Sequence, residues 1–163
     1  MIFILFFFVI YYNFLVSKII IINGPNLNLL GQREQSQYGS KDYNYLTEIC
    51  FKKAKELNLN LDIRQSNVEG EIVNLIQDSV NTYDGIIINA AAYSHTSVAI
   101  RDALDVFKKP KIELHISNIY KREEFRHTSL ISSVVTGIIC GLGINGYILA
   151  INSMQELLNN ENK

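Results

Sequence analysis

Ile19-Ile20-Ile21-Ile22-Asn23-Gly24-Pro25-Asn26 decides how the rest of the chain is read. Four successive isoleucines are β-branched and show no polar alternation, so they fit a strand buried on both faces. Asn-Gly-Pro stops that strand. A long polar loop follows, running to Gly39 ahead of the first helical pattern. Loops of this length in a compact domain are typically lids or binding segments. This one carries Arg33 and Tyr38, a cation and a phenol five residues apart. A phenol works as a base near neutral pH only when its pKa is drawn below about 10, and an adjacent guanidinium does that.

Outward from this strand, helix and strand periods alternate. Asp42 to Leu57 places Leu46, Ile49, Cys50, Ala54 and Leu57 at helical spacing, with Asp42 able to cap the start. Leu59–Arg64 reads as a second strand, and Glu69 to Val80 as a helix with Ile72, Val73, Leu75, Ile76 and Val80 inward. Gly85–Asn89 is a third strand, and Thr96 to Phe107 a helix burying Ala99, Ile100, Ala103, Leu104 and Phe107. Pro110 precedes a fourth strand, Lys111–His115, and Val134–Gly141 reads as a fifth. Ile144 to Leu158 is a last amphipathic helix, and the polar tail, residues 159–163, is expected to fray. Near-continuous apolar strands alternating with helices predict an α/β fold: a flavodoxin-like, doubly wound, five-stranded parallel sheet in three α/β/α layers.

In such sheets ligands bind beyond the carboxyl ends of the strands. Here those ends carry Asn23 to Asn26, Gln65 to Asn67, Asn89 to His95 and Glu113 to Asn118. The opposite ends carry ordinary loop residues such as Lys18, Asn58, Asp84 and Lys109. The asymmetry predicts one site on one rim.

Composition narrows the partners. The chain has 163 residues, enough for one domain with a real core. Fifteen Lys+Arg against 16 Asp+Glu leave a net charge of −1, with no global electrostatic case for nucleic acid or an anionic membrane. Cys50 and Cys140 form no disulfide framework and read as small buried hydrophobes, which suits a reducing cytosol. Residues 1–17, MIFILFFFVIYYNFLVS, are uncharged in their side chains and taken alone look like a membrane or signal segment. They lack a basic first region and a small-residue cleavage site, and run straight into a strand that should lie inside the sheet. They are therefore expected to be a dispensable extension, residues 18–158 forming the domain; a membrane role would rest on the extension alone.

Several constellations invite chemistry. Glu113 and His115 alternate onto one side of a strand. A carboxylate beside an imidazole fixes its tautomer and supports proton donation near neutral pH, although a rim histidine held by a neighbour would look the same. His95 precedes a helix, where it either binds an oxygen-rich ligand or caps the helix start. Asn89 is either a turn former or a ligand contact. Arg122 and Arg126 are four apart and share a face if helical; they form either a solvated charged turn or a fork for a small polar substrate. Gly141-Leu142-Gly143-Ile144-Asn145-Gly146 matches G-x-G-x-x-G, but no strand with a ribose-binding acid follows, so it reads as a tight turn with close packing. His95, His115 and His127 are too dispersed for a metal site.

Together the pieces resemble one family. Asn23-Gly24-Pro25-Asn26-Leu27 with Gly31, Arg33, Glu34 and Tyr38-Gly39 is similar to the first signature of the type II 3-dehydroquinate dehydratases. Asn89 to Ser97 with Arg101-Asp102 resembles the second. Glu113 to Asn118, followed by Arg122-Glu123 and Phe125-Arg126, resembles the third, and Thr136 to Gly143 the closing segment. The resemblance runs from Lys18 to Leu158. It implies anti elimination of water from 3-dehydroquinate, giving 3-dehydroshikimate through an enolate, without metal, cofactor or Schiff base. By that resemblance Tyr38 takes the α-proton, Arg33 stabilises the anionic transition state, and His115, oriented by Glu113, protonates the leaving hydroxyl. Asn26 holds a water against the enolate oxygen, and Arg122 is a second cation near the tyrosine. Asn89, His95 and Arg126 bind substrate hydroxyls, and the backbone N–H groups of Ile116 and Ser117 bind the carboxylate. Asp102 reaches a neighbouring subunit's site, in a dodecamer built from trimers.

Ser94 replaces the threonine commoner before His95 in that family, and the N-terminal extension is a larger departure. The rival reading is a non-catalytic flavodoxin-like module for a small anion. A phosphoacceptor module wants acids after the first strand, where this chain has Asn23 and Asn26. A flavin binder does not explain Arg33, Tyr38 and His115 together. Lys18 and Lys111 open strands at the far rim, which disfavours an imine mechanism. Aromatic biosynthesis and quinate breakdown both pass through the same dehydration.

Overall fold

The computed structural model describes residues 16–31 and 41–161. Expectations for residues 1–15, for 32–40 with Arg33 and Tyr38, and for 162–163 lie outside the described residues.

Five parallel strands form one sheet in the order β2-β1-β3-β4-β5. They are β1 (Lys18–Asn23), β2 (Asn60–Gln65), β3 (Gly85–Asn89), β4 (Lys111–His115) and β5 (Gly137–Cys140). Helices α1 (Tyr43–Glu56), α2 (Glu69–Ser79), α3 (Val98–Val106) and α4 (Asn145–Glu161) alternate with them. The isoleucine run of β1 supplies both layers of core. Ile19 and Ile21 pack with Leu46, Cys50, Tyr147 and Met154 on the α1/α4 side. Ile20 and Ile22 pack with Ile72, Ile76, Ile100 and Leu104 on the α2/α3 side. Burial on both faces explains the missing alternation. Each isoleucine so buried contributes about 1.5–3 kcal/mol relative to exposure, and β1 lies inside the sheet between β2 and β3.

The helix starts follow local chemistry. Asp42 accepts a hydrogen bond from the Tyr45 N–H at 2.8 Å and caps α1, as its position suggested. Ser97 accepts from the Ile100 N–H at 2.9 Å, so α3 begins at Val98 rather than at Thr96. A 3-10 turn, Ala91–His95, occupies the preceding residues. Four further expectations need correction. Ala99 is exposed, because the α3 stripe that meets the sheet runs through Ile100, Ala103 and Leu104. β5 starts at Gly137, since Ser132–Val134 closes a 3-10 turn first. The polar residues 159–161 continue α4 instead of fraying. Cys140 is half-buried: its Sγ accepts from the Ile119 N–H at 3.4 Å and lies 3.5 Å from the Ser117 carbonyl, tying β5 to the loop after β4. Cys50 is fully buried as expected, and burial pushes its thiol pKa up to about 12.

Gly24 is where the first and third strand ends meet. Its N–H donates to the Asn89 carbonyl at 2.8 Å. A Cβ there would lie 2.4 Å from the Ala90 carbonyl oxygen. Gly24→Ala is therefore expected to cost about 1–3 kcal/mol in urea unfolding, as overpacking does, because backbone cannot rotate aside. An unchanged unfolding midpoint would contradict this contact.

Candidate active site

Much of the rim chemistry converges on a cavity of about 190 Å³ at the carboxyl ends of β1, β3 and β4. That is below the roughly 300–1,000 Å³ of pockets for drug-sized ligands, so the occupant is small. Its lining includes Asn26, Asn89, His95 and His115, and also Ile116, Ser117, Arg122 and Arg126. Asp102 does not line it: this side chain is exposed and paired with Arg101 at 2.8 Å.

The centre of the site is an ion pair on β4. Strand alternation sends Ile112 and Leu114 into one core layer and Glu113 and His115 to the other side. His115 Nε2 lies 2.6 Å from Glu113 Oε1, with Glu113 fully buried and His115 nearly so. A carboxylate only accepts, so Nε2 carries the proton and Nδ1 is the nitrogen left for exchange with the cavity. Glu113 also accepts from Ser129 Oγ at 2.6 Å on Oε1 and from Ser132 Oγ at 2.5 Å on Oε2. Burial works to raise the Glu113 pKa, but the hydrogen bonds from His115, Ser129 and Ser132 outweigh it and hold the carboxyl below its usual range.

His95 ends the Ala91–His95 turn and stacks on His115, with ring centroids 5.9 Å apart and planes 19° from parallel. Its Nδ1 lies 2.8 Å from the Thr128 carbonyl, which can only accept. Nδ1 therefore carries the hydrogen, and Nε2 is an acceptor. Burial, reinforced by the nearby His115 and Arg126, draws the His95 pKa down despite that hydrogen bond. The stack thus sets a His95 ring drawn toward its neutral form against the His115 ring held by Glu113.

Arg122 and Arg126 both line the cavity, but not on a shared helix. The chain makes two 3-10 turns, Ile119–Lys121 and Glu124–Arg126, so the four-residue spacing is not a helical repeat. Glu123 sits between them, 3.3 Å from Arg122 Nε and 2.9 Å from Arg126 Nε. Arg122 Nη1 also lies 3.4 Å from Ser117 Oγ, linking this cation to the segment after β4.

Asn26 is left-handed at φ 67°, a conformation asparagine tolerates, and its N–H donates to Asn67 Oδ1 at 2.9 Å. Gln65 and Asn67 support this turn rather than line the cavity. Asn89 forms the turn and also lines the cavity. Its Oδ1 accepts from the Ala91 N–H at 3.2 Å, forming the turn, while its Nδ2 donates to Tyr147 Oη at 3.1 Å behind the cavity. Tyr147 Oη in turn donates to Asn23 Oδ1 at 2.7 Å. Ser129, Ser132 and Tyr147 were not singled out from sequence. The serines sit in a Ser/Thr-rich stretch indistinguishable from ordinary loop, and Tyr147 occupies a normal core position of an amphipathic helix.

The Gly-rich stretch is a turn, as its context implied. Gly141 has φ +84°, and a Cβ there would lie 2.9 Å from Asn118 Cβ; Gly146 packs on Leu114 and Ile139. Lys18 pairs with Asp62 and Lys111 bonds the Phe107 carbonyl, both away from the cavity. Among the described residues no group of three His, Cys, Asp or Glu could hold a metal ion. Among the same residues, no helix is long and apolar enough to cross a membrane.

Fold and cavity define a flavodoxin-like α/β protein with a buried Glu–His pair and two arginines around a small cavity. The sequence model of the family "Dehydroquinase class II" matches residues 17–155, and the chain belongs to that family. A 3-dehydroquinate dehydratase of Caldicellulosiruptor saccharolyticus is 54% identical over 88% of this chain and 99% of its own. One of Prochlorococcus marinus is 51% identical over 86% of this chain and 97% of its own. The crystal structure of a type II dehydroquinase from Butyrivibrio crossotus matches with TM-score 0.83 and 49% identity, covering 85% of this chain and 97% of that one. The type II dehydroquinase from Propionibacterium acnes also gives TM-score 0.83, at 41% identity, covering 86% and 97%.

Proposed function

We infer that this chain is a type II 3-dehydroquinate dehydratase, a lyase that removes water from 3-dehydroquinate to give 3-dehydroshikimate in the shikimate pathway. The observation that carries the reading is the buried Glu113–His115 pair, opening on a small cavity beside Arg122 and Arg126 in a chain of this family.

The reaction needs a base for a weakly acidic proton next to a ketone, a means of holding the enolate, and an acid for the departing hydroxide. In this proposal Tyr38, ionised beside Arg33, takes the α-proton, and Arg122 adds a second cation. The enolate oxygen is held by a water positioned by Asn26. His115 then passes its proton to the leaving hydroxyl, which departs as water as the enolate collapses to the enone. His95, whose free nitrogen is an acceptor, binds a substrate hydroxyl with Asn89 and Arg126. The Ile116 and Ser117 N–H groups bind the carboxylate. Asp102, exposed and outside its own cavity, serves the site of a neighbouring subunit in a dodecamer of trimers. Residues 18–158 form the catalytic domain, the extension is dispensable, and the enzyme works in the cytosol.

The test follows enone absorbance on adding 3-dehydroquinate, with and without borohydride. Enone formation that survives borohydride is expected. No enone would sink the dehydratase reading, and irreversible inactivation by borohydride would point to an imine instead.

A further inference from the structure

The 128–132 segment touches His95 and Glu113 without contributing a side chain to the cavity. The Thr128 carbonyl takes the His95 Nδ1–H, and Ser129 and Ser132 place one hydroxyl on each oxygen of Glu113. The segment is itself pinned, since the Leu130 N–H donates to the Ser94 carbonyl at 2.8 Å and Ile131 is fully buried in the α2/α3 core layer. We propose that Ser129 and Ser132 are positioning residues for the acid: they keep Glu113 a carboxylate, and through it set the tautomer and direction of His115. This inference rests on the dehydratase reading and extends it.

The reason lies in the choice a buried Glu–His pair has. With full burial, the pair can hold its proton as imidazolium and carboxylate, or as neutral imidazole and carboxylic acid. Burial favours the neutral form. Hydroxyl donors on both oxygens favour the carboxylate. Only the charged form presents an imidazolium Nδ1–H to the cavity. The neutral form presents an Nδ1–H far too weakly acidic to protonate a leaving hydroxide. Among the described residues, the other charged or titratable groups at the cavity are His95, stacked on His115, and Arg122 and Arg126 in its lining.

The sign of the pH effect follows. Removing donors that stabilise the carboxylate raises the pH at which Glu113 takes a proton; a neutral carboxyl holds the Nε2–H of His115 more weakly and its direction is lost, so the low-pH limb of kcat moves upward. In Ser129→Ala/Ser132→Ala the limb is expected to rise by about one pH unit or more, with kcat lower by roughly tenfold or more. Ser132→Thr, which keeps a hydroxyl, should leave the limb in place in an otherwise wild-type chain. In a Glu113→Gln background the two serine substitutions should cost little further, because the group they hold is gone. A limb unmoved in the double alanine variant, or an equal loss of kcat with and without Glu113, would overturn the proposal and leave the serines purely structural. The carboxyl ¹³C titration of Glu113, assigned by difference from Glu113→Gln, reads the same shift without turnover. A wild-type chain inert toward 3-dehydroquinate would therefore count against the dehydratase reading alone. A Glu113 midpoint equal in wild type and double variant would count against the serines.

Discussion

His115→Gln is expected to lower kcat for 3-dehydroquinate by about 10²–10⁴-fold, the usual worth of a positioned general acid, with KM changed much less. Expulsion of hydroxide is the step that needs a positioned acid. Among the described histidines against the cavity, His95 is drawn toward its neutral form, which leaves His115. Glutamine is the informative replacement because its amide can still donate to Glu113 while holding no titratable proton. Alanine would leave the Glu113 carboxylate buried without its cation, and breaking one side of a buried pair costs about 3–5 kcal/mol. A fall in activity could then be a fall in folded protein. Steady-state kinetics with a thermal melt separates the two effects. Wild-type kcat in a folded His115→Gln variant would remove His115 as the acid.

Tyr38→Phe is expected to reduce kcat by a similar factor, about 10²–10⁴, while substrate binding measured by calorimetry persists. An unperturbed phenol of pKa about 10 is only about 10⁻³ ionised at pH 7, so a working tyrosinate requires neighbouring cations. Arg33 lies five residues away in sequence, and Arg122 lines the cavity. Phenylalanine keeps the ring and removes only the oxygen that accepts the α-proton. Proton abstraction then fails, and exchange of that proton with deuterated solvent should fail with it. A Tyr38→Phe variant with wild-type turnover would reassign the base. The two variants also differ in kind: the tyrosine variant is blocked before the enolate, the histidine variant after it. Only the histidine variant should still exchange the α-proton.

Much of the fold was legible because its signals are local. The isoleucines of β1, the uninterrupted run Gly85–Asn89 and the cap at Asp42 act within a few residues of themselves. Parallel strands buried on both faces follow from them, and so does a site at the carboxyl rim. Element ends were read less well where short-range turns compete with helix or strand, as at Ala91–His95 and Ser132–Val134. Glu113 and His115 were legible as a pair because two residues on one strand must share a face. Arg122 and Arg126 reach the same cavity by a route their spacing did not indicate, through two 3-10 turns instead of one helix.

The order of residues along the chain was therefore enough for the sheet, its polarity, the rim that carries the chemistry and most of the side chains on it. Those features depend on periodicity, branching and turn chemistry, which neighbours in sequence set. What needed folding was the company each side chain keeps. Ser129 and Ser132 meet Glu113 across 16 and 19 residues, His95 meets Thr128 across 33, and Tyr147 meets Asn23 across 124. These contacts decide which oxygen is charged and which nitrogen carries a proton. They depend on desolvation and hydrogen-bond geometry, which exist only once the sheet has brought distant segments together.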